Sequence, residues 1–212
     1  MIKNVLKFLK LSNKEKDDSN TTQETNVDSL FETIGPETLR ILIGEDIISF
    51  GDCINENIRQ LRGLIKEENG FIFPAVHVKS DFALQENEIQ FYVNEKLIYT
   101  DYAIPKETYI ETTFLSLFKN IILDNIDNIF TNCLVEKYIN FAQKDNLWMI
   151  WNLTNLLTIS EIKAILIDLI KNKKSISNIN MIFEKICDDI FVQHSSCSKD
   201  PHKISERLCK IL

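Results

Sequence analysis

The stretch of sequence that decides the fold is residues 154–186, TNLLTISEIKAILIDLIKNKKSISNINMIFEKI. Thr158 and Glu161 have the spacing of a capping box, in which a hydroxyl and a carboxylate satisfy free N–H groups at a helix start. Apolar residues then recur at intervals of three and four, which places them on one helical face. The two apolar sets are Ile162, Ile165, Leu166, Leu169 and Ile170, and then Ile179, Ile182, Phe183 and Ile186. The pattern predicts two packed amphipathic helices joined by a lysine-rich turn.

Composition limits the function classes that this chain can serve. The chain has 212 residues, of which 44% are hydrophobic and 26% are charged, as in ordinary globular proteins. Its formal net charge of −7 argues against a nucleic-acid partner. No apolar run reaches the ~18–20 residues of a membrane span. Five cysteines without CxxC spacing indicate reduced thiols, and therefore a cytoplasmic protein.

The first 28 residues differ from the rest of the chain. Residues 1–11, MIKNVLKFLKL, mix apolar residues with lysines, and residues 12–28 are almost wholly polar. The first segment suits either peripheral contact with a membrane surface or a terminal helix that frays or docks on a partner, and its shortness favours the second reading. The second segment is predicted to be a disordered linker, since it has too little apolar surface to offset its ordering entropy.

Residues 29–104 mix strand and helix patterns. Leu39, Ile41 and Ile43 alternate as in a strand, and residues 71–78, FIFPAVHV, also read as a strand, with Pro74 implying a sheet edge or a bulge. A helix between them has Asp52 as a candidate cap and is stopped by Gly70. Residues 88–93 and 96–99 predict a hairpin around the turn at 94–95. The order β-α-β-β-β predicts a small α/β subdomain.

Residues 105–212 predict an all-α subdomain of about six short helices, because apolar residues keep helical spacing from Ile110 to Ile211. The last helix is expected to begin at Pro201. The predicted fold class is therefore α+β: a β-α-β-β-β subdomain at 29–104 followed by a helical bundle at 105–212.

Residues that could carry chemistry are few. The sequence contains none of the common nucleotide-binding, serine-hydrolase or zinc-protease motifs, so we predict no enzyme activity and no cofactor. One cluster has metal-ligand residue types, but its spacing does not close a structural zinc site, and buried cysteines with polar loop residues are the favoured interpretation. Its members are Cys187, His194, Cys197, His202 and Cys209. His77 alternates with valines and is interpreted as a solvent-facing strand residue.

Trp148 and Trp151 lie three residues apart on a predicted helix. Tryptophan is enriched among the residues that anchor protein partners. The more frequent arrangement of such a pair places one ring in the core and the other at the surface. The split between core and surface is therefore the favoured interpretation, and a pair that anchors a partner is the alternative.

Three stretches in this order resemble the cytosolic domain of the type III export gate family, which includes flagellar FlhA and its injectisome counterparts. Residues 61–78, LRGLIKEENGFIFPAVHV, are similar to the family's helix, Gly-Phe, proline and V-x-I strand. Residues 107–118, ETYIETTFLSLF, are similar to the family helix around V-x-x-T-H-L. Residues 157–186 resemble the family's paired helices, with Ser177 and Asn178 where the family has Arg-Asp.

The resemblance implies a non-enzymatic component of, or adaptor to, a bacterial flagellar or type III export apparatus, acting in protein secretion. It implies contacts with other export proteins, with a full-length gate or with itself, at the cytoplasmic face of the inner membrane. Thr112 falls on a residue of the family's chaperone-binding groove, and Tyr109 lies beside it. The transmembrane half, a second small subdomain between residues 99 and 108, and a final subdomain have no counterpart in this sequence. The alternatives are a divergent stand-alone protein-binding module and a metal-binding protein built on the 187–209 cluster.

Overall fold

The computed structural model describes residues 38–103, 113–192 and 199–212. Within these ranges a four-stranded sheet and one long helix are followed by seven further α-helices, and the predicted α+β class is confirmed. The predicted segments at 1–28 lie outside the described residues. The division into subdomains at 29–104 and 105–212 stays a prediction. Among the described residues no helix is both long and apolar enough to cross a membrane.

The sheet contains strands β1 (Leu39–Ile43), β2 (Val76–Ser80), β3 (Glu88–Val93) and β4 (Lys96–Tyr102), in the order β2-β1-β3-β4. β1 pairs in parallel with β2 and antiparallel with β3, which forms a hairpin with β4. The turn residues Asn94 and Glu95 both have positive φ, which suits the right-handed twist of a two-residue hairpin. The alternating residues of β1 are buried, as their pattern predicted.

Helix α1 (Gly51–Asn69) covers one face of this sheet and ends, as predicted, at a left-handed Gly70 with φ 66°. The helix face that carries Ile54, Ile58, Leu61 and Ile65 is buried. Two local predictions need correction. A 3₁₀ turn over Glu45–Phe50 leads into the helix, so Asp52 lies in its first turn and makes no capping bond.

The predicted strand at 71–78 begins only at Val76, and this is the second correction. Phe71, Ile72 and Phe73 are all buried, whereas a strand would send alternate side chains to opposite faces. The rings of Phe71 and Phe73 instead contact the helical half of the molecule, with centroid distances of 5.4 Å from Phe71 to Phe130 and 6.2 Å from Phe73 to Phe118. The segment therefore fills space between the sheet and the helices.

The helical half consists of short helices, each of which buries an apolar face. Its helices are α2 (Leu115–Asp124), α3 (Ile126–Ile129), α4 (Asn132–Asp145), α5 (Leu147–Leu156), α6 (Ile159–Lys171), α7 (Ile179–Val192) and α8 (Pro201–Ile211). The capping box at the start of α6 is confirmed, since Thr158 Oγ1 accepts from Glu161 N at 3.3 Å and the Glu161 carboxylate accepts from Thr158 N at 2.7 Å. The pKa of Glu161 is lowered because the backbone N–H of Thr158, and secondly its hydroxyl, donate to the Glu161 carboxylate.

The two halves meet at a joint formed by the end of α1, the hydroxyl of Tyr138 and the turn before α7. Tyr138 Oη donates to Gly70 O and accepts from Ile72 N, at 3.3 Å in each case. Ile176 N donates to Asn69 O at 2.8 Å. Burial raises the pKa of Tyr138, so the phenol keeps the proton that it donates. The joint fixes the sheet end of the molecule against α4 and the α6–α7 hairpin.

Candidate partner-binding site

Among the described residues of the helical half, helix α5 carries the two most exposed aromatic side chains. Trp148 is 68% exposed and Trp151 is 55% exposed, and their rings stack with centroids 4.9 Å apart and planes 17° from parallel. Leu147, beside them, is 63% exposed. We call these three residues the tryptophan platform. The interpretation that one ring enters the core is therefore wrong.

Local sequence explains why the platform faces outward. Asn146 caps α5, with its side-chain oxygen accepting from Met149 N at 3.0 Å. Met149, Ile150 and Leu153 are buried, which turns the opposite side of the helix to solvent. The rings then lie one helical turn apart, close enough to stack on each other.

The sequence stretch that carries the platform has the composition of a protein interface centre. The 15 residues 146–160, NLWMIWNLTNLLTIS, contain no Asp, Glu, Lys or Arg, in a chain that is 26% charged. Interface centres are depleted of charge and enriched in tryptophan, because both partners lose water there. The platform is therefore suited to an apolar protein segment.

Of the four predicted partner-binding residues, the structure describes two. Trp148 and Trp151 are brought together at the platform. Tyr109 and Thr112 lie outside the described residues, so their proposed groove stays a prediction. His77 lies on edge strand β2, paired in register with Arg40, and is partly buried.

The structure describes three of the five residues of the 187–209 cluster, and it shows no shared site for them. Cys187 is buried, and that burial raises its pKa to about 11, so its thiol stays protonated. Burial also raises the pKa of the partly exposed Cys209 thiol. His194 and Cys197 lie outside the described residues. Within the described ranges no three His, Cys, Asp or Glu side chains are grouped to hold a metal ion.

His202, the remaining member of the cluster, anchors helix α8. Its Nδ1 lies 2.6 Å from Asp168 Oδ2 on α6, and Ser205 Oγ donates to the same oxygen at 2.9 Å. The hydrogen bond to Asp168, together with its charge, raises the pKa of His202. The Ser205 hydroxyl and the His202 ring both bond to the Asp168 carboxylate. The hydroxyl does not bond to the ring, as a nucleophile would to its base, so these three residues hold α8 against α6.

A second contact joins α8 to α7. Arg207 Nε donates to Asp189 Oδ1 at 2.7 Å, and a second guanidinium nitrogen reaches Asp189 Oδ2 at 2.5 Å. This two-pronged geometry is the strongest form of an arginine–carboxylate pair. Sequence reasoning missed both contacts because the partners lie 18 to 37 positions apart.

Comparison with solved structures identifies the fold. A structure of the Chlamydia pneumoniae CdsV protein matches 82% of this chain and 71% of its own, with a TM-score of 0.68 and 12% identity. The fold is that of a type III export gate cytosolic domain. The nonameric EPEC SctV-C matches with a TM-score of 0.65 and 17% identity, over 82% of this chain and 65% of its own.

The nonameric EscV cytosolic domain from the type III secretion system shares the export-gate fold, with a TM-score of 0.66 and 18% identity over 82% of this chain and 63% of its own. The resemblance noted in the sequence is thereby confirmed for the fold. The solved chains are longer than the part that matches: this chain covers between 60% and 71% of their lengths. No protein-family model matches the sequence, and no curated protein does.

Proposed function

We propose that this protein is a non-enzymatic component of, or adaptor to, a bacterial flagellar or type III protein export apparatus. The observation that carries the proposal is the export-gate fold, which extends over 82% of the chain despite 12–18% identity. A fold kept at such low identity indicates that its packing is under selection. In this role the protein works in the cytoplasm, beside the cytosolic domain of a gate at the inner membrane.

The proposed mode of action is protein–protein contact. Among the solved structures with this fold, one is a complex of CdsV with CdsO and two are nonameric assemblies. By analogy we propose that this chain contacts other export proteins and associates with itself or with a full-length gate. The tryptophan platform supplies the apolar contact, and Tyr109 and Thr112 belong to the same proposed binding function.

The test is recovery of partners from the native cell. The tagged full chain is cross-linked in place, purified and analysed by mass spectrometry. We expect enrichment of export-apparatus proteins, and loss of that enrichment for the double variant Trp148→Ala/Trp151→Ala. Phe82→Ala is the matched control, because Phe82 is a 76% exposed aromatic residue on the sheet half. Recovery of no export protein by the wild-type chain would refute the proposal.

The second candidate is a divergent stand-alone protein-binding module that has kept only the fold. It is favoured by the absence of any matching family model. The same experiment separates the two roles. A module outside export would recover a consistent partner without export proteins, and would still lose it when the platform is removed.

A further inference from the structure

We propose that the Asn69–Gly70 pair is a modification site that deamidates when the joint between the two halves opens, so that the chain keeps a covalent record of the opening. The modification needs water alone, so the proposal does not rest on the export role.

Asn69 and Gly70 form the only Asn-Gly pair in the sequence, and no asparagine in it precedes a serine. Asparagine is one of the chemically labile residues. It loses its amide most readily before glycine, because glycine has no side chain to shield the attacking nitrogen or to restrict rotation of the backbone. Deamidation of this chain is therefore expected first at Asn69.

The reaction balances with water as its sole co-reactant. The Gly70 nitrogen gives up its proton and bonds to Asn69 Cγ, and the Nδ2 group takes up a proton and leaves as ammonia. Water then opens the resulting cyclic imide at one of its carbonyls. The product is aspartate or isoaspartate at position 69, and nothing is oxidised or reduced.

In the folded protein the joint keeps the reacting atoms apart. Asn69 is the last residue of α1, so the peptide bond that follows it must rotate before Gly70 N can reach Asn69 Cγ. Both sides of this peptide bond are held: Gly70 N donates to Lys66 O at 2.9 Å, and Asn69 O accepts from Ile176 N at 2.8 Å. The first bond also keeps the Gly70 nitrogen protonated, whereas the attacking form has lost its proton.

Tyr138 and the turn before α7 complete the restraint on this peptide. Tyr138 Oη donates to Gly70 O and accepts from Ile72 N, at 3.3 Å in each case. A Cβ at Gly70 would lie 2.0 Å from Ser177 N, so the turn leaves no space for the peptide to swing. Deamidation therefore requires the joint to open, and its rate follows the population of open molecules.

Stability does not account for the Asn69 side chain. The residue is 8% exposed, and its Oδ1 is buried without a hydrogen-bond donor in the part of the chain that the structure describes. A buried acceptor without a partner lowers stability, and such a group calls for a reason other than packing. Reactivity in the open state supplies that reason.

The modified residue prevents the joint from closing again. Aspartate brings a charge to a buried position, where loss of water opposes it. Isoaspartate adds a methylene group to the main chain and displaces the carbonyl that accepts from Ile176 N. A chain that is deamidated while open therefore stays open.

Peptide mapping by mass spectrometry tests the restraint, since it measures amide loss at position 69 and separates isoaspartate from aspartate. The full-length protein is kept in mildly alkaline buffer, either folded or unfolded in guanidinium chloride. We expect deamidation to be at least about 100-fold slower in the folded protein, because a stable joint is rarely open. Tyr138→Phe should raise the folded-state rate roughly 5- to 150-fold, as loss of its two hydrogen bonds increases the open population. Tyr102→Phe is the matched control, because Tyr102 is 52% exposed on β4, and it should keep the wild-type rate.

Refolding tests the covalent record with the wild-type chain alone. Protein that is partly deamidated in the unfolded state is returned to native buffer, and size-exclusion chromatography separates refolded from expanded chains. We expect intact Asn69 in the refolded fraction and the modified residue in the expanded fraction. Equal deamidation rates in folded and unfolded wild type, or an unchanged rate in Tyr138→Phe, would overturn the restraint. Equal content of modified chains in the two fractions would overturn the record.

Discussion

The sharpest prediction concerns Gly70, where the end of α1 meets the turn before α7. A Cβ built on this residue would lie 2.0 Å from Ser177 N and 2.6 Å from both Ile176 C and Ser177 Cα. These are backbone atoms, so no side chain can rotate away to make room. Gly70→Ala must therefore separate the sheet half from the α6–α7 hairpin.

The magnitude follows from three local costs. A left-handed backbone at φ 66° costs an alanine about 1–2 kcal/mol. Relieving the overlap by backbone movement costs about 1–3 kcal/mol, as overpacking of cores does. The movement also strains the 2.8 Å bond from Ile176 N to Asn69 O, whose net value is about 1 kcal/mol. We expect Gly70→Ala to lower the free energy of unfolding by about 4 kcal/mol, a large part of the ~5–15 kcal/mol that a domain has.

Gly63→Ala is the matched control. Gly63 lies inside α1, and a Cβ there would meet nothing within 4 Å. Alanine should therefore stabilise the protein by about 0.5–1 kcal/mol, since it loses less backbone entropy on folding than glycine does. Urea unfolding followed by circular dichroism measures both changes. A loss below about 1 kcal/mol for Gly70→Ala would refute the close approach at the joint.

Three further changes test the other contacts. Tyr138→Phe leaves two buried backbone groups unpaired and should cost about 1–3 kcal/mol in urea unfolding; a cost near zero would contradict the bridge. Arg207→Met breaks the two-pronged pair with Asp189 and should lower the free energy of unfolding by about 1–2 kcal/mol. Arg59→Met, which breaks the exposed pair with Glu56, should lower it by less than about 0.5 kcal/mol. The raised pKa of His202 means that its contact stabilises α8 below the unfolded pKa and is lost as the pH rises through the folded pKa. The melting temperature of wild type relative to His202→Gln should therefore be higher at about pH 6 than at about pH 8, and a pH-independent difference would argue against the ion pair.

Elements defined by neighbouring residues were predictable from the sequence. The capping box at Thr158, the left-handed stop at Gly70 and the two-residue hairpin turn each depend on residues within a few positions of one another. Hydrophobic spacing likewise located α4 to α8, because one buried face imposes the 3.6-residue period on its own helix. Local sequence therefore determined these elements.

Contacts between distant parts of the chain could not be predicted in this way. The bridge from Tyr138 to Gly70 joins residues 68 positions apart, and Asp168 meets His202 across 34 positions. No periodic signal connects such pairs. The same limit explains Phe71–Phe73, which have the composition of a strand but are buried by helices far along the chain. The exposure of both tryptophans also depends on which helix faces their neighbours fill.

The joint offers a physical reason for a fold that persists at 12–18% identity with export gates. Its hydrogen bonds use backbone groups of Asn69, Gly70, Ile72 and Ile176, and these groups are present whatever the side chain of the residue. Ser177 and Asn178 are exposed, and Asn178 Oδ1 accepts from Met181 N in the first turn of α7. Only Gly70 and the Tyr138 hydroxyl require a particular residue. The sequence around this contact can therefore diverge widely while the two halves keep the same relative position. The exposed surface of α5 takes no part in the joint, so it can change to suit a different partner.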